Sequence, residues 1–157
     1  AKGIDLTESP SHLATATLPP PLPETPDANR GVILLVEDNE VNIQVMAEYL
    51  HDIGFRIEIA RNGQEAIDTA AWLKPDLILM DIQMPVLDGL TATRRLRNKP
   101  DTAKTPIIAF TALAMPGDRE RCLAAGATDY LAKPIRLVAL VEMMERLLSS
   151  APDKSLP

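Results

Sequence analysis

The chain contains four short apolar runs, and each is followed by a polar side chain that can bind a phosphate group or a metal ion. The runs are Val32 to Val36, Leu77 to Met80, Ile107 to Phe110 and Tyr130 to Ala132, followed in turn by Glu37-Asp38, Asp81, Thr111 and Lys133. Uninterrupted apolar runs of this length are typical of strands that are buried on both faces of a parallel sheet. Because ligands bind outside the carboxyl ends of such strands, these polar residues are predicted to converge on one site.

Helical patterns alternate with the apolar runs. They cover Glu40 to Asp52, Gly63 to Leu73, Asp88 to Asn98, Pro116 to Gly126 and Ile135 to Leu148, and a further strand is predicted over Arg56 to Ala60. Since crossovers between parallel strands are right-handed, this alternation restricts the chain to a doubly wound sheet. The sequence therefore predicts a flavodoxin-like α/β fold with a five-stranded parallel sheet in the order 2-1-3-4-5.

The first thirty residues differ in composition from the rest. They contain six of the fourteen prolines and show no helical or strand periodicity, which predicts a Pro-rich flexible linker over residues 1–30. A chain of 157 residues has room for one domain of ordinary size, which we place over residues 31–149. Residues 150–157 are expected to form a short disordered tail.

Charge and cysteine content exclude several classes of function. The net charge is −6 and the chain contains no basic run, so we expect no direct binding to nucleic acid. No apolar stretch approaches the roughly 18 residues that span a membrane, so we expect no membrane contact by this segment. The single cysteine, Cys122, indicates a reducing, cytoplasmic compartment.

Three carboxylates stand at neighbouring strand ends in the predicted sheet. Glu37, Asp38 and Asp81 would repel one another at neutral pH, which implies a bound cation. Mg²⁺ suits these hard oxygen ligands, and the chain has no cluster of histidine or cysteine for a transition metal. With the ion held by Glu37 and Asp38, Asp81 is free to act as a nucleophile towards phosphorus.

Two further strand-end residues fit phosphoryl transfer. Lys133 supplies a compact positive charge for a phosphoryl oxygen, and Thr111 supplies a hydroxyl donor. Each residue type is common on protein surfaces, so neither is informative by itself. Their order along the chain, together with the acidic residues, favours a phosphoryl-transfer site.

The motifs around these residues resemble the signature of response-regulator receiver domains. They are Val36-Glu37-Asp38-Asn39, Met80-Asp81-Ile82-Gln83-Met84-Pro85 with Asp88-Gly89, Phe110-Thr111-Ala112, and Lys133-Pro134. The resemblance covers roughly residues 31–148 and is strongest to receivers attached to hybrid histidine kinases. It implies that Asp81 accepts a phosphoryl group from a phosphohistidine and that Lys133 and Thr111 contact this group. It also implies Mg²⁺ bound by Glu37, Asp38, Asp81 and the backbone carbonyl of Gln83.

The resemblance further implies a conformational switch. The Thr111 hydroxyl would move towards the phosphate and the ring of Tyr130 would turn inward, although an ordinary half-buried tyrosine fits the same position. The Lys133-Pro134 peptide bond is expected to be cis on the same grounds.

Two positions beside the site are expected to govern the lifetime of the phosphate. Gln83 lies two residues after Asp81, and Leu113 lies two residues after Thr111. Neither is acidic, and leucine offers an attacking water no hydrogen bond, so we expect moderate to slow self-hydrolysis.

The first predicted helix is a candidate docking surface. With about 100° per residue, Asn42, Val45, Met46 and Tyr49 are predicted to face inward and Ile43 to be exposed. The family resemblance implies that this helix and the loop at Pro134 dock a helical bundle that presents the phosphohistidine. This partner would be a histidine kinase dimerisation domain or a histidine phosphotransfer protein.

We favour the C-terminal receiver of a hybrid sensor kinase, in the cytosolic part of that protein, with a stand-alone single-domain response regulator as the alternative. A haloacid-dehalogenase-like phosphatase also uses a strand-end aspartate with Mg²⁺, but it requires a second acid where this chain has Gln83. A nucleotide-binding Rossmann module would need a glycine-rich motif after the first strand, which the chain lacks. A receiver fold that acts without phosphorylation is disfavoured by the intact acidic pair, Asp81 and Lys133.

Overall fold

Five parallel strands form one sheet in the computed structural model, which describes residues 30–112 and 115–150. The strands are β1 (Val32–Val36), β2 (Arg56–Ala60), β3 (Leu77–Asp81), β4 (Ile107–Thr111) and β5 (Asp129–Ala132). The helices are α1 (Glu40–Asp52), α2 (Gly63–Leu73), α3 (Gly89–Arg97), α4 (Asp118–Ala125) and α5 (Leu137–Ser150). The strand order is β2-β1-β3-β4-β5, which confirms the predicted fold. Most of the predicted linker and tail, as well as Leu113, lie outside the described residues.

The alternation of side chains along the strands divides the core into two layers. Leu35, Leu79 and Phe110 belong to a buried cluster with residues of α1 and α5, such as Met46 and Leu140. The intervening strand residues belong to a second cluster with α2 and α3; they include Leu34, Val36, Ile78, Met80 and Ile107. Because successive side chains of a strand point to opposite faces, a sheet covered by helices on both sides needs apolar residues at every position. This requirement explains the uninterrupted runs in the sequence.

Strand register places the carboxyl ends of the central strands side by side. Val36 pairs with Met80, so Glu37 and Asp81 follow paired positions of β1 and β3. On the other side of β3, Asp81 pairs with Phe110, and Thr111 pairs with Ala132. The residues that follow or end these strands therefore lie along a single edge of the sheet.

Polar residues cap the helices that leave this edge. The Asn39 side chain accepts a hydrogen bond from the backbone N–H of Asn42 at the start of α1. The Asp88 side chain accepts from the N–H of Thr91 at the start of α3. Helix α4 begins at Asp118, preceded by Gly117 with φ of 91°, so the prediction that Pro116 lies in its first turn is wrong.

Within the described ranges, no helix is long and apolar enough to cross a membrane.

The predicted orientation of α1 requires correction. Ile43 is only 4% exposed and forms the buried stripe with Met46 and Leu50, whereas Val45 is 51% exposed and Val41 is 68% exposed. Both faces of this helix carry apolar residues, so the sequence pattern fits two orientations. The stripe at positions 43, 46 and 50 fits the 3.6-residue period and packs on the sheet. Ile43 is therefore a core residue rather than an exposed docking residue.

Candidate functional site

Three carboxylates meet where β1 and β3 end. Glu37 and Asp38 directly follow β1, and Asp81 is the last residue of β3. One ligand atom from each of the three lies within 4.8 Å of the others. Glu37 is 0% exposed and Asp81 is 1% exposed, whereas Asp38 is exposed. Such a group of close carboxylate oxygens, open to solvent on one side, can hold a divalent cation.

Lys133 reaches this cluster from the far side of β4. Its Nζ lies 3.0 Å from Asp81 Oδ2 and 3.5 Å from Glu37 Oε2. The backbone N–H of Lys133 donates to the carbonyl of Thr111 at 2.7 Å, which ties the loop after β5 to the end of β4. The Lys133-Pro134 peptide bond is cis, as expected. One ammonium thus contacts two buried carboxylates.

The electrostatics of the cluster favour an additional cation. Burial, followed by the hydrogen bond and negative charge of Asp81, raises the pKa of Glu37 to about 7, although Asn42 and Lys133 act in the opposite direction. Burial lowers the pKa of Lys133, but the hydrogen bond and charge of Asp81 and the charge of Glu37 outweigh it, and the pKa lies above its ordinary value. Three carboxylates against one lysine leave excess negative charge. The donor set therefore fits Mg²⁺, which prefers carboxylate oxygen and phosphate.

The loop after β3 is held close to the Asp81 carboxylate. The backbone N–H of Gln83 donates to Asp81 Oδ1 at 3.1 Å. At Gly89, an added Cβ would lie 2.2 Å from the Asp81 carbonyl oxygen, so no larger residue fits without moving the backbone. The sequence analysis placed Asp88-Gly89 in the receiver signature and did not predict this contact, because a close approach between backbone segments leaves no signal in one sequence.

The proposed switch residues lie on β4 and β5. Thr111 is buried at the end of β4, next to β3. Tyr130 is half-buried and packs against a small cluster of Ala109, Cys122 and Ala127. Burial and the nearby charge of Asp118 raise the pKa of Tyr130. Gln83 has an exposed side chain beside Asp81.

A groove opens next to Lys133, between α1 and the loop that follows β5. Its volume is about 520 Å³, and its lining residues are Asn42, Val45, Met46, Lys133, Pro134, Ile135 and Leu137. We call this feature the α1 groove. Pro134 is exposed at this position, as a docking role requires, and the exposed side chain of Val45 takes the place that the sequence analysis assigned to Ile43.

Sequence reasoning missed Asn42 as a site residue. Its side-chain Nδ2 donates to Glu37 Oε1 at 3.0 Å. The only signal available was its position five residues after Glu37, in the first turn of the following helix.

The fold and this edge of the sheet define a signalling module of the receiver type. Residues 33–145 match the family described as the response regulator receiver domain. The chain belongs to this family and is a receiver domain of two-component signalling.

Curated relatives occur both as parts of large kinases and as small regulators. The chain is 48% identical over 117 residues to hybrid signal transduction histidine kinase G of Dictyostelium discoideum, covering 73% of this chain and 3% of that protein. It is 40% identical over 119 residues to the polar-differentiation response regulator DivK of Brucella anthropi, covering 76% of this chain and 97% of the regulator. The chain thus spans a small fraction of the kinase and nearly all of the regulator.

Solved receiver structures share the fold. One is the receiver domain of a sensor histidine kinase from Pseudomonas aeruginosa PAO1, crystallised with a magnesium ion coordinated in its active-site cleft. It is 45% identical, has a TM-score of 0.72, and the match covers 76% of this chain and 98% of that one. Another is the chemotaxis response regulator CheY4 of Vibrio cholerae, 30% identical with a TM-score of 0.70, where the match covers 74% of this chain and 97% of that one.

Proposed function

We propose that this receiver accepts a phosphoryl group from a phosphohistidine onto Asp81 in the presence of Mg²⁺, and passes the phosphate or signal to a histidine phosphotransfer protein. The observation that carries the proposal is the contact of Lys133 Nζ with Asp81 Oδ2 at 3.0 Å, inside a cluster of three carboxylates. A lysine and a cation-binding set around one buried aspartate match the needs of phosphoryl transfer.

Asp81 is the nucleophile in this proposal. One of its carboxylate oxygens forms a bond to phosphorus while the bond from phosphorus to the histidine nitrogen breaks, and the bonding electron pair leaves with that nitrogen. The N–H of Gln83 at Oδ1 and the ammonium of Lys133 at Oδ2 orient the carboxylate before the reaction. Such preorganisation removes the cost of aligning the nucleophile during the step.

The other site residues stabilise the transferred group. Lys133 and the Thr111 hydroxyl contact phosphoryl oxygens in the proposal, which places a positive charge and a donor where negative charge develops. Glu37, Asp38, Asp81 and the carbonyl of Gln83 would hold Mg²⁺, which neutralises charge on the phosphoryl group when it is bound. Magnesium in the cleft of the Pseudomonas receiver supports this assignment.

Docking of a helical bundle in the α1 groove would bring its phosphohistidine to Asp81. Lys133 lines the groove and its ammonium contacts Asp81, so the groove lies one residue away from the proposed acceptor. Val41 and Val45 expose apolar surface on α1 beside it, and Pro134 is exposed in the loop after β5. Exposed apolar residues that border a groove are typical of helix-binding surfaces.

Two neighbouring side chains are proposed to set the lifetime of the aspartyl phosphate. The Gln83 side chain is exposed two residues after Asp81, and in this proposal it contacts the attacking water. Leu113, the second residue, lies outside the described ranges. The inward turn of Tyr130 after phosphorylation remains part of the proposal, supported by its half-buried position on β5, where it pairs with Ala109, two residues before Thr111 on β4.

The hybrid-kinase context rests on identity to kinase receivers, and the stand-alone regulator is a second candidate because the match covers 97% of DivK. Both candidates use Asp81 in the same way. Family membership disfavours the haloacid-dehalogenase-like phosphatase.

Phosphorylation of the purified chain tests the proposal. We expect acetyl phosphate with Mg²⁺ to add one phosphoryl group, detected by intact-protein mass spectrometry, and Asp81→Asn to abolish the addition. Asp68→Asn, which changes an exposed carboxylate on α2, is the matched control and should be phosphorylated like the wild type. Equal phosphorylation of Asp81→Asn and the wild type would disprove the assignment of the acceptor.

A further inference from the structure

Asn42 makes a specific contact with the most buried carboxylate of the site. Its Nδ2 donates to Glu37 Oε1 at 3.0 Å, while Glu37 Oε2 lies 3.5 Å from the Lys133 ammonium. Each oxygen of Glu37 therefore has its own partner. Since Glu37 is 0% exposed, solvent does not replace the contact readily if the amide is lost.

The backbone of α1 directs this amide towards β1. The Asn39 side chain caps the helix by accepting from the N–H of Asn42 at 3.1 Å, which fixes the first turn. In an α-helix the Cα–Cβ bond is tilted towards the N-terminus, so a side chain in the first turn points back to the preceding strand end. Asn42 thus contacts Glu37 across the short connection between β1 and α1.

Without this amide, only one oxygen of Glu37 would keep an attractive contact with Lys133. Lys133 attracts one of its oxygens, and Asp81 repels the carboxylate. A carboxylate with a single fixed oxygen can rotate about its terminal torsion, which is broad for glutamate. A second hydrogen bond on the opposite oxygen removes this freedom.

We propose that Asn42 is a positioning residue that orients Glu37 for the divalent cation and thereby sets the affinity of the site for Mg²⁺. The inference rests on the proposed function, because it takes Glu37 as part of the metal site. Asn42 acts through Glu37 and does not contact the transferred group. Residues that hydrogen-bond to metal ligands commonly contribute in this way to metal affinity.

Direct titration with Mg²⁺ tests the inference. Asn42→Leu keeps a similar volume but removes the donor, and we expect its Kd for Mg²⁺ by isothermal titration calorimetry to rise about 10-fold. The Mg²⁺ concentration that gives half-maximal phosphorylation by acetyl phosphate should rise by the same factor. A purely structural role would lower the unfolding midpoint in EDTA and leave both Mg²⁺ quantities unchanged.

A matched control lies on the same helix. Gln44 is an exposed amide whose Nε2 donates to Glu48 Oε1 at 3.3 Å, away from the acidic cluster. Gln44→Leu should bind Mg²⁺ like the wild type. Asn42→Ala, with a smaller side chain and high helix propensity, provides the same measurement if the leucine variant does not fold.

The outcomes separate this inference from the proposed function. If the wild type binds no Mg²⁺, the proposed metal site is wrong. If the wild type binds Mg²⁺ and the Kd of the folded Asn42 variant rises by less than about three-fold, well below the usual effect of losing such a contact, the inference alone is wrong. A rise of about three-fold or more, with Gln44→Leu unchanged, supports it.

Discussion

Lys133 and Asp81 form an ion pair across a strand to which neither residue belongs. Asp81 ends β3 and Lys133 follows β5, yet the ammonium lies 3.0 Å from Asp81 Oδ2 over the end of β4. The carbonyl of Thr111, at the end of β4, accepts from the Lys133 N–H, so all three strand ends are joined. Lys133 thus connects Asp81 on β3 to the ends of β4 and β5.

Replacement of Lys133 should slow phosphorylation strongly. We expect Lys133→Ala to lower the rate with acetyl phosphate by on the order of 10²-fold, because the charge facing the developing negative charge is lost. Stopped-flow or mass-spectrometric time courses measure this rate. Lys104→Ala, which removes an exposed lysine before β4, is the control and should leave the rate unchanged. A Lys133→Ala rate near that of the control would contradict the role of the ion pair.

The stability of the metal-free protein should depend on pH through Glu37. Its pKa is raised from 4.5 to about 7, first by burial and then by Asp81, so the folded state binds more protons than the unfolded state between these values. The stability contributed by the protonated form is lost as pH rises from about 4.5 to about 7. We expect the free energy of unfolding, measured with urea in EDTA, to fall between pH 5 and pH 8. The fall should be larger for the wild type than for Glu37→Gln by on the order of 2 kcal/mol. Parallel curves for the two proteins would disprove this contribution.

Gly89 should tolerate no side chain. An added Cβ would lie 2.2 Å from the carbonyl oxygen of Asp81, and backbone cannot yield as a flexible side chain does. We expect Gly89→Ala to lower the free energy of unfolding by about 1–3 kcal/mol and to impair phosphorylation, because relief of the clash displaces the acceptor. Gly117→Ala is the comparison: its φ of 91° disfavours alanine, but nothing lies within 4 Å of the added Cβ. Wild-type phosphorylation of Gly89→Ala would contradict the predicted displacement.

We expect Val45 to contribute to docking of the partner and not to phosphorylation by acetyl phosphate. We expect Val45→Asp to slow phosphotransfer from a phosphorylated histidine phosphotransfer protein by about 10-fold or more, because docking would bury the introduced charge against an apolar surface. Its phosphorylation by acetyl phosphate and its unfolding midpoint should stay near those of the wild type. Trp72→Asp changes another exposed apolar residue, on α2, and serves as the control. An unchanged transfer rate for Val45→Asp would remove α1 from the docking surface. Ile43→Asp is unsuitable for this purpose, since it places a charge in the core.

The sheet and the strand-end residues were predictable because buried strands impose a strong pattern. The apolar runs ending at Val36, Met80 and Phe110 admit few other folds, and parallel order then brings Glu37 and Asp81 to one edge. The orientation of α1 was not predictable, since Ile43 and Val45 are both apolar and only packing on the sheet distinguishes them.

Contacts that depend on tertiary geometry also escaped prediction. The Asn42–Glu37 hydrogen bond requires the direction of the first turn of α1, and the approach of Gly89 to Asp81 requires the path of the loop after β3. Neither residue type is diagnostic by itself. Both contacts can be recognised only when the positions of the strand ends and of the elements that follow them are known.

The central claim, that Asp81 is the phosphoryl acceptor in a magnesium-dependent switch, is tested most directly by amide NMR with Mg²⁺ and beryllofluoride. Beryllofluoride mimics a phosphoryl group on a carboxylate. We expect the amide shifts of the wild type to change around Asp81, Thr111 and Tyr130. The corresponding shifts of Asp81→Asn should remain unchanged. Unperturbed wild-type spectra, or the same perturbations in Asp81→Asn, would contradict the account.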